Sequence, residues 1–183
     1  GRYAVAGQTF SQAVKTFSAQ TENPENKKTL ALLLIEHGRF SLRQGNLDEA
    51  QTAYSESEKL HKSLKMKPQY GLLMDPQLGY AYLESTRGNI QQAVTHTEQV
   101  LERAHQESHQ LHIAMANQLL GHLALRQGKL EEARKHDRAA LASCAEQGER
   151  WFVAYCHNEL GELEIAEGNY TAATDHFTQS LNI

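Results

Sequence analysis

The sequence predicts an all-α chain of stacked antiparallel helical hairpins, and three observations carry that prediction. A six-residue phrase returns four times, as Gly45-Asn46-Leu47-x-x-Ala50, Gly88-Asn89-Ile90-x-x-Ala93, Gly128-Lys129-Leu130-x-x-Ala133 and Gly168-Asn169-Tyr170-x-x-Ala173, at spacings of 43, 40 and 40 residues. Self-similarity at a period of about 20–50 residues marks a repeat array. Apolar and small residues recur at helical spacing on both sides of each phrase: Ile113, Ala116, Leu120, Leu123 and Ala124 before Gly128, then Leu130, Ala133, Ala140 and Leu141 after it. No run alternates with period two, so nothing reads as a strand.

Helices are expected over 9–20, 24–43, 47–64, 71–86, 90–106, 110–126, 130–146, 150–166 and 170–182. The first is an orphan second helix of a hairpin, since Phe10 and Ala13 match Leu47 and Ala50, although Gly7 falls one residue out of register. Asn23-Pro24 then opens a helix, an Asn cap followed by Pro at the first helical position. Each phrase glycine lies just past a helix end, where it takes the left-handed conformation without a Cβ penalty and lets the chain reverse. The unit is therefore helix A, a tight turn and helix B. Gly38, Gly121 and Gly161 each lie seven residues before a turn glycine, and a glycine inside a helix usually marks close packing. In the second repeat Ala81 holds that place and Gly79 lies two residues earlier. Two inserted residues inside a helix would rotate its faces by about 200°. The extra residues therefore belong in the loop around Lys65-Met66-Lys67-Pro68. The whole chain reads as a single repeat domain, with a half repeat at 1–22 and repeats at 23–66, 67–107, 108–147 and 148–183. Both ends look cut, which suggests a piece of a longer protein and unpaired end repeats whose apolar faces can self-associate.

Composition narrows the function. The net charge of −4 is spread through the chain with no basic face or stripe, which speaks against direct nucleic-acid contact. No apolar run approaches membrane-spanning length and no leader pattern opens the chain. Cys144 and Cys156 make a thin disulfide framework, so the expected compartment is the reducing cytoplasm. Neither a phosphate-cradling glycine loop nor a Gly-x-Ser-x-Gly elbow is present, and no cofactor is implied. Acidic pairs such as Asp48-Glu49 and Glu131-Glu132 suit the starts of B helices without acid–base chemistry. Recognition, not catalysis, is the expected activity.

The phrases Leu120-Gly121, Leu160-Gly161, Ala50-x3-Tyr54 and Ala173-x3-Phe177, set beside the Gly-Asn turns, resemble the tetratricopeptide repeat over nearly the whole chain. That resemblance implies a right-handed superhelical solenoid of about four and a half hairpins with a concave binding groove. The sequence departs from the family in its period of about 40 where the family usually has about 34, and in lacking the proline that commonly closes each unit. The longer variety is similar to the sensor and scaffold arrays of bacterial signal-transducing ATPases, including maltose-activator-type transcription regulators. It also resembles the arrays of eukaryotic polarity scaffolds. The resemblance implies a protein, a peptide or a small effector as ligand, in a signalling or transcription regulator or alternatively in a passive scaffold.

With the helix A glycine at 0° and about 100° per residue, the residues three before, one after and five after it fall at about 60°, 100° and 140°. This stripe lies away from the apolar face and is expected to be exposed; its family equivalent lines the groove. It comprises Ile35, Arg39 and Arg43; Leu78, Tyr82 and Thr86; Gln118, His122 and Arg126; Asn158, Glu162 and Ala166. Arg39, Arg43 and Arg126 can clamp a carboxylate or phosphate bidentately. Gln118 and Asn158 offer a donor and an acceptor each to an extended peptide backbone. Tyr82, His122 and Glu162 complete the candidate site. The plain alternative is a solvated helix face.

Other candidates reduce to structure. His105, His109 and His112 would share a face only in one continuous helix, and the loop expected around Glu107-Ser108-His109 breaks it, so no metal site is assigned. Cys144 and Cys156 read as buried small side chains on successive helices, Trp151 with Phe152 as inter-repeat anchors, and Tyr54 and Phe177 as core. The apolar run Leu30–Ile35 suits a helix sandwiched between neighbours.

Overall fold

The computed structural model describes residues 2–66, 75–147 and 150–183, with backbone alone at 2–6, 8, 146 and 147. Among the described residues there are nine helices and no strand: α1 (Arg2–Ser18), α2 (Pro24–Arg43), α3 (Leu47–Leu64), α4 (Pro76–Arg87), α5 (Ile90–Gln106), α6 (Gln110–Arg126), α7 (Leu130–Gln147), α8 (Arg150–Ala166) and α9 (Tyr170–Leu181). None of these is long and apolar enough to cross a membrane.

Local chemistry accounts for the boundaries. The side chain of Asn23 accepts the amide of Glu25 at 2.9 Å, and that of Asp75 accepts the amide of Gln77 at 2.8 Å; each cap precedes a proline. Gly45, Gly88, Gly128 and Gly168 stand at φ of 80°, 83°, 72° and 82°. At three of these ends the next residue's amide reaches back five positions, as in Asn46 to Ser41 at 2.9 Å, Lys129 to Ala124 at 3.0 Å and Asn169 to Glu164 at 2.8 Å. That closure satisfies carbonyls the helix end would leave bare. A Cβ at Gly128 would meet nothing within 4 Å, so the glycine serves backbone conformation alone. Gly128→Ala is accordingly expected to cost about 1–2 kcal/mol. Gly128→Asn should cost less, because Asn tolerates the left-handed region; the two variants' urea midpoints check the order.

One expected boundary shifts and another falls partly outside the described residues. The first helix starts at Arg2 instead of residue 9, which places Gly7 inside it; a Cβ there would come within 2.6 Å of the Phe40 ring. α4 is described from Pro76, whereas the expected start at 71 and the loop residues Lys67 and Pro68 lie outside the described residues.

The chain divides into two compact units, Gly1–Gly88 and Asn89–Ile183. In the first, α2 and α3 form the central hairpin, with α1 against α2 and α4 against both. Its core joins Ile35, Ala50, Tyr54 and Leu83, with a second cluster of Leu30, Leu34 and Ala53. Within the run Leu30–Ile35, four residues are buried and Leu32 and Leu33 are half-buried, as suits a helix flanked on several sides.

In the second unit, α6 pairs with α7 and α8 with α9, while α5 packs on α6 and α7 on α8. Cys144 and Cys156 are buried and unbridged on α7 and α8, with their sulfurs 3.9 Å apart. The loop at Glu107–His109 separates α5 from α6: Ser108 is left-handed at φ 54°, and the side chain of His109 accepts the amide of His112. His105 is thereby cut off from the helix carrying His112.

Two anchor assignments change. Trp151 is 53% exposed and Phe152 is the buried residue. Phe152 shares a helix face with Cys156, Leu160 and Leu163, which are buried, whereas Trp151 lies on the face of Tyr155, Asn158 and Glu162. Phe177 is half-buried, its ring lying against Gly161 where a Cβ would come within 2.6 Å.

Candidate functional site

Each unit brings part of the candidate site together through the same device: a B-helix side chain pushed between two A helices at a glycine. In the first unit the Tyr54 ring of α3 lies between α2 and α4. A Cβ at Gly38 or Gly79 would stand 2.5 or 2.6 Å from that ring. Gly79 is thus accounted for by the ring of the preceding hairpin, while Ala81 is fully buried beside it. The Tyr54 hydroxyl has no hydrogen-bond partner. Burial pushes its phenol well above the ordinary range, against the opposing pull of Arg39.

Arg39 and Tyr82 are half-buried, and Arg43 is exposed at the end of α2. Arg39 is held by Glu36 on its own helix at 2.7 Å. Its guanidinium is therefore positioned and partly neutralised before any ligand arrives.

In the second unit the equivalent B-helix position, four residues after the phrase alanine, is Asp137 on α7. Gly121 on α6 makes room for it: a Cβ there would fall 2.0 Å from Asp137 Oδ1. Glu159 on α8 lies close enough to raise the Asp137 carboxyl further, after burial, to about 7. His122 Nδ1 lies 3.4 Å from Glu159 Oε2, which draws the imidazole above its ordinary pKa against the cost of burial. Asp137 Oδ1 is buried without a hydrogen-bond partner, whereas Glu159 Oε2 has His122 Nδ1 beside it. Arg134, the nearby cation on α7, is engaged across the helix pair with Glu164 and Glu167, at 2.6 Å each. Among the described residues, no group of three or more His, Cys, Asp or Glu is placed to hold a metal ion.

The stripe read from the sequence is only partly exposed. Arg43, Arg126, Asn158 and Glu162 are exposed, and His122 is half-buried. Gln118 corrects the expectation: it is 2% exposed, as buried as Ile35 and Leu78 at the same repeat position. Ile35 and Gln118 lie on helices that pack on the next A helix of their own unit, α2 on α4 and α6 on α8. Asn158, at the same repeat position on α8, is exposed. Sequence reasoning missed Asp137 and Glu159. The signal was available: an acid stands at 137 where the equivalent positions hold Tyr54, Thr97 and Phe177.

Residues 111–183 match the tetratricopeptide repeat family. The chain also aligns with the crystal structure of BtubC (BKLC) from P. vanneervenii at a TM-score of 0.78, covering 100% of this chain and 74% of that one at 18% identity. A likeness at that identity speaks for the fold. No curated protein matches the chain in sequence. The fold is an all-α array of sequentially packed helical hairpins of the tetratricopeptide kind, with the family match itself carried by its last 73 residues.

Proposed function

We propose that the chain is a non-catalytic recognition array that binds a protein or peptide segment on the A-helix faces of its two units. One observation carries this reading. The residues that follow the helix A glycine position, Arg39 and Tyr82 in the first unit and His122 and Glu162 in the second, remain at least partly open to solvent and differ in chemistry, while the glycine row itself and Ile35, Leu78 and Gln118 beside it are buried. Repeat arrays use such a surface, which nearest-neighbour stacking leaves free, for extended contacts. Arg43, Arg126 and Asn158 extend the proposed face, and Gln118 supports it from beneath. The ligand is a protein or peptide and not nucleic acid, in keeping with a net charge of −4. By the resemblance of its period, the array is a cytoplasmic sensor or interaction segment of a larger bacterial signalling or transcription regulator.

The test is a phage-displayed random peptide library selected on the chain. Binders should weaken at least ten-fold on a variant carrying Arg39→Glu and Arg126→Glu together, with an unchanged melting curve. Binders of unaltered affinity would remove this face from the function.

A further inference from the structure

The acidic pair between α6 and α8 has no structural task in this fold that a carboxylate performs better than a ring. Its repeat equivalents fill the glycine notch with Tyr54 in the first unit and Phe177 in the fourth repeat. Asp137 is instead 2% exposed and Glu159 6% exposed; Asp137 Oδ1 has no hydrogen-bond partner, and Glu159 Oε2 faces the half-buried His122 Nδ1 at 3.4 Å. A buried carboxylate left in that state is costly, and native structures rarely keep one without a reason.

The nearby groups do not discharge it. Arg134 on α7 is engaged by Glu164 and Glu167. His122 on α6 stands 3.4 Å from Glu159 and is half-exposed, at the edge of the pair. Glu162 on α8 adds negative charge nearby, and Cys144 and Cys156 beside the pair are buried and carry none.

We propose that Asp137 and Glu159 form a subsite for one arginine side chain of the bound protein, with His122 as its displaceable cover. This rests on the reading of the α6 and α8 face as a binding face. A guanidinium presents five donors in a planar fork and can bridge two acceptors carried on separate helices, which an ammonium does less well. At rest, burial and the nearby Glu159 charge keep the Asp137 carboxyl protonated up to about 7. The arriving guanidinium replaces that proton, which leaves to solvent, and His122 swings outward. Gly121 is what lets Asp137 reach the subsite, since any Cβ there would occupy the position of its carboxylate.

The experiment uses the whole chain with Nα-acetyl-arginine methylamide as probe and the citrulline analogue, equal in shape and uncharged, as control. Amide and imidazole NMR signals of residues 121, 122, 137 and 159 are followed at pH 6, 7 and 8. The capped arginine should give saturable shifts confined to these residues, the citrulline analogue none, and the affinity should rise several-fold from pH 6 to pH 8 as the proton becomes easier to displace. Asp137→Asn and Glu159→Gln, which relieve buried charge and keep side-chain size, should each weaken binding at least ten-fold while retaining the native spectrum. No saturable shift with capped arginine, equal shifts with citrulline, or unweakened binding to Asp137→Asn would each overturn the subsite. The peptides selected for the wider face report separately: if they lose affinity on the Arg39 and Arg126 variant while capped arginine leaves residue 137 untouched, only the subsite falls.

Discussion

Replacing Asp137 by Asn is expected to make the chain more stable at pH 8, an unusual direction for a substitution at a buried site. The carboxyl is held at about 7 by burial and then by Glu159, against an ordinary 3.8. The folded state therefore keeps a proton that the unfolded state has already released. Stability contributed by this group is complete below the unfolded value and falls as pH rises towards 7, because the folded chain binds more protons over that window. A shift of this size corresponds to a few kcal/mol, about 2–4. His122 adds a loss of the same sign: its pKa is raised by Glu159, so its contribution is present at low pH and lost as pH rises through the folded value.

Urea unfolding of the wild type should accordingly weaken from pH 5 to pH 8. Asp137→Asn should flatten most of that slope and exceed the wild type by about 1–3 kcal/mol at pH 8. A wild-type stability that stays level from pH 5 to pH 8 would show that the pair is ionised and solvated.

Truncation of Tyr54 should have the largest destabilising effect. The ring is fully buried, meets Ile35, Ala50 and Leu83, and is gripped by glycines on two helices. Tyr80 sits edge-on to it with ring centroids 5.9 Å apart. Tyr54→Ala removes the wedge that sets the spacing of α2 and α4, so the cost is lost burial plus a cavity, about 3–5 kcal/mol. For a chain of this length that is a fall in melting temperature of about 6–20 °C.

Tyr54→Phe separates the ring from its hydroxyl. Because that hydroxyl has no partner, its removal should be neutral or mildly stabilising. Gly38→Ala, which raises helix propensity, should still destabilise by about 1–3 kcal/mol, since its methyl would meet the ring at 2.5 Å. A Gly38→Ala variant that melts above the wild type would show that the ring gives way freely.

Much of the architecture is legible in the chain because its signals are local. Gly45, Gly88, Gly128 and Gly168 adopt positive φ where the returning phrase requires it. Asn23-Pro24 caps α2 as its chemistry dictates, and seven of the nine expected helices have ends within a residue of the observed ones. Gly38, Gly121 and Gly161 mark close approach, as isolated helical glycines should. The candidate stripe was less legible. A helical wheel gives angles about one axis and does not say how far the next A helix reaches around it. That is why Gln118 was expected in solvent and lies in the core, while Asn158 at the same repeat position is exposed.

By itself, the sequence determined the hairpin repeat, its turns and the residue types along each face, because these follow from backbone preferences and a 3.6-residue period acting within a few positions. Only the tertiary structure decided which acid stands beside which: Asp137 and Glu159 are 22 residues apart in the chain and share a buried site through the packing of α7 on α8. Spacing along a helix cannot encode that meeting, since it depends on how two helices are offset when their side chains interlock.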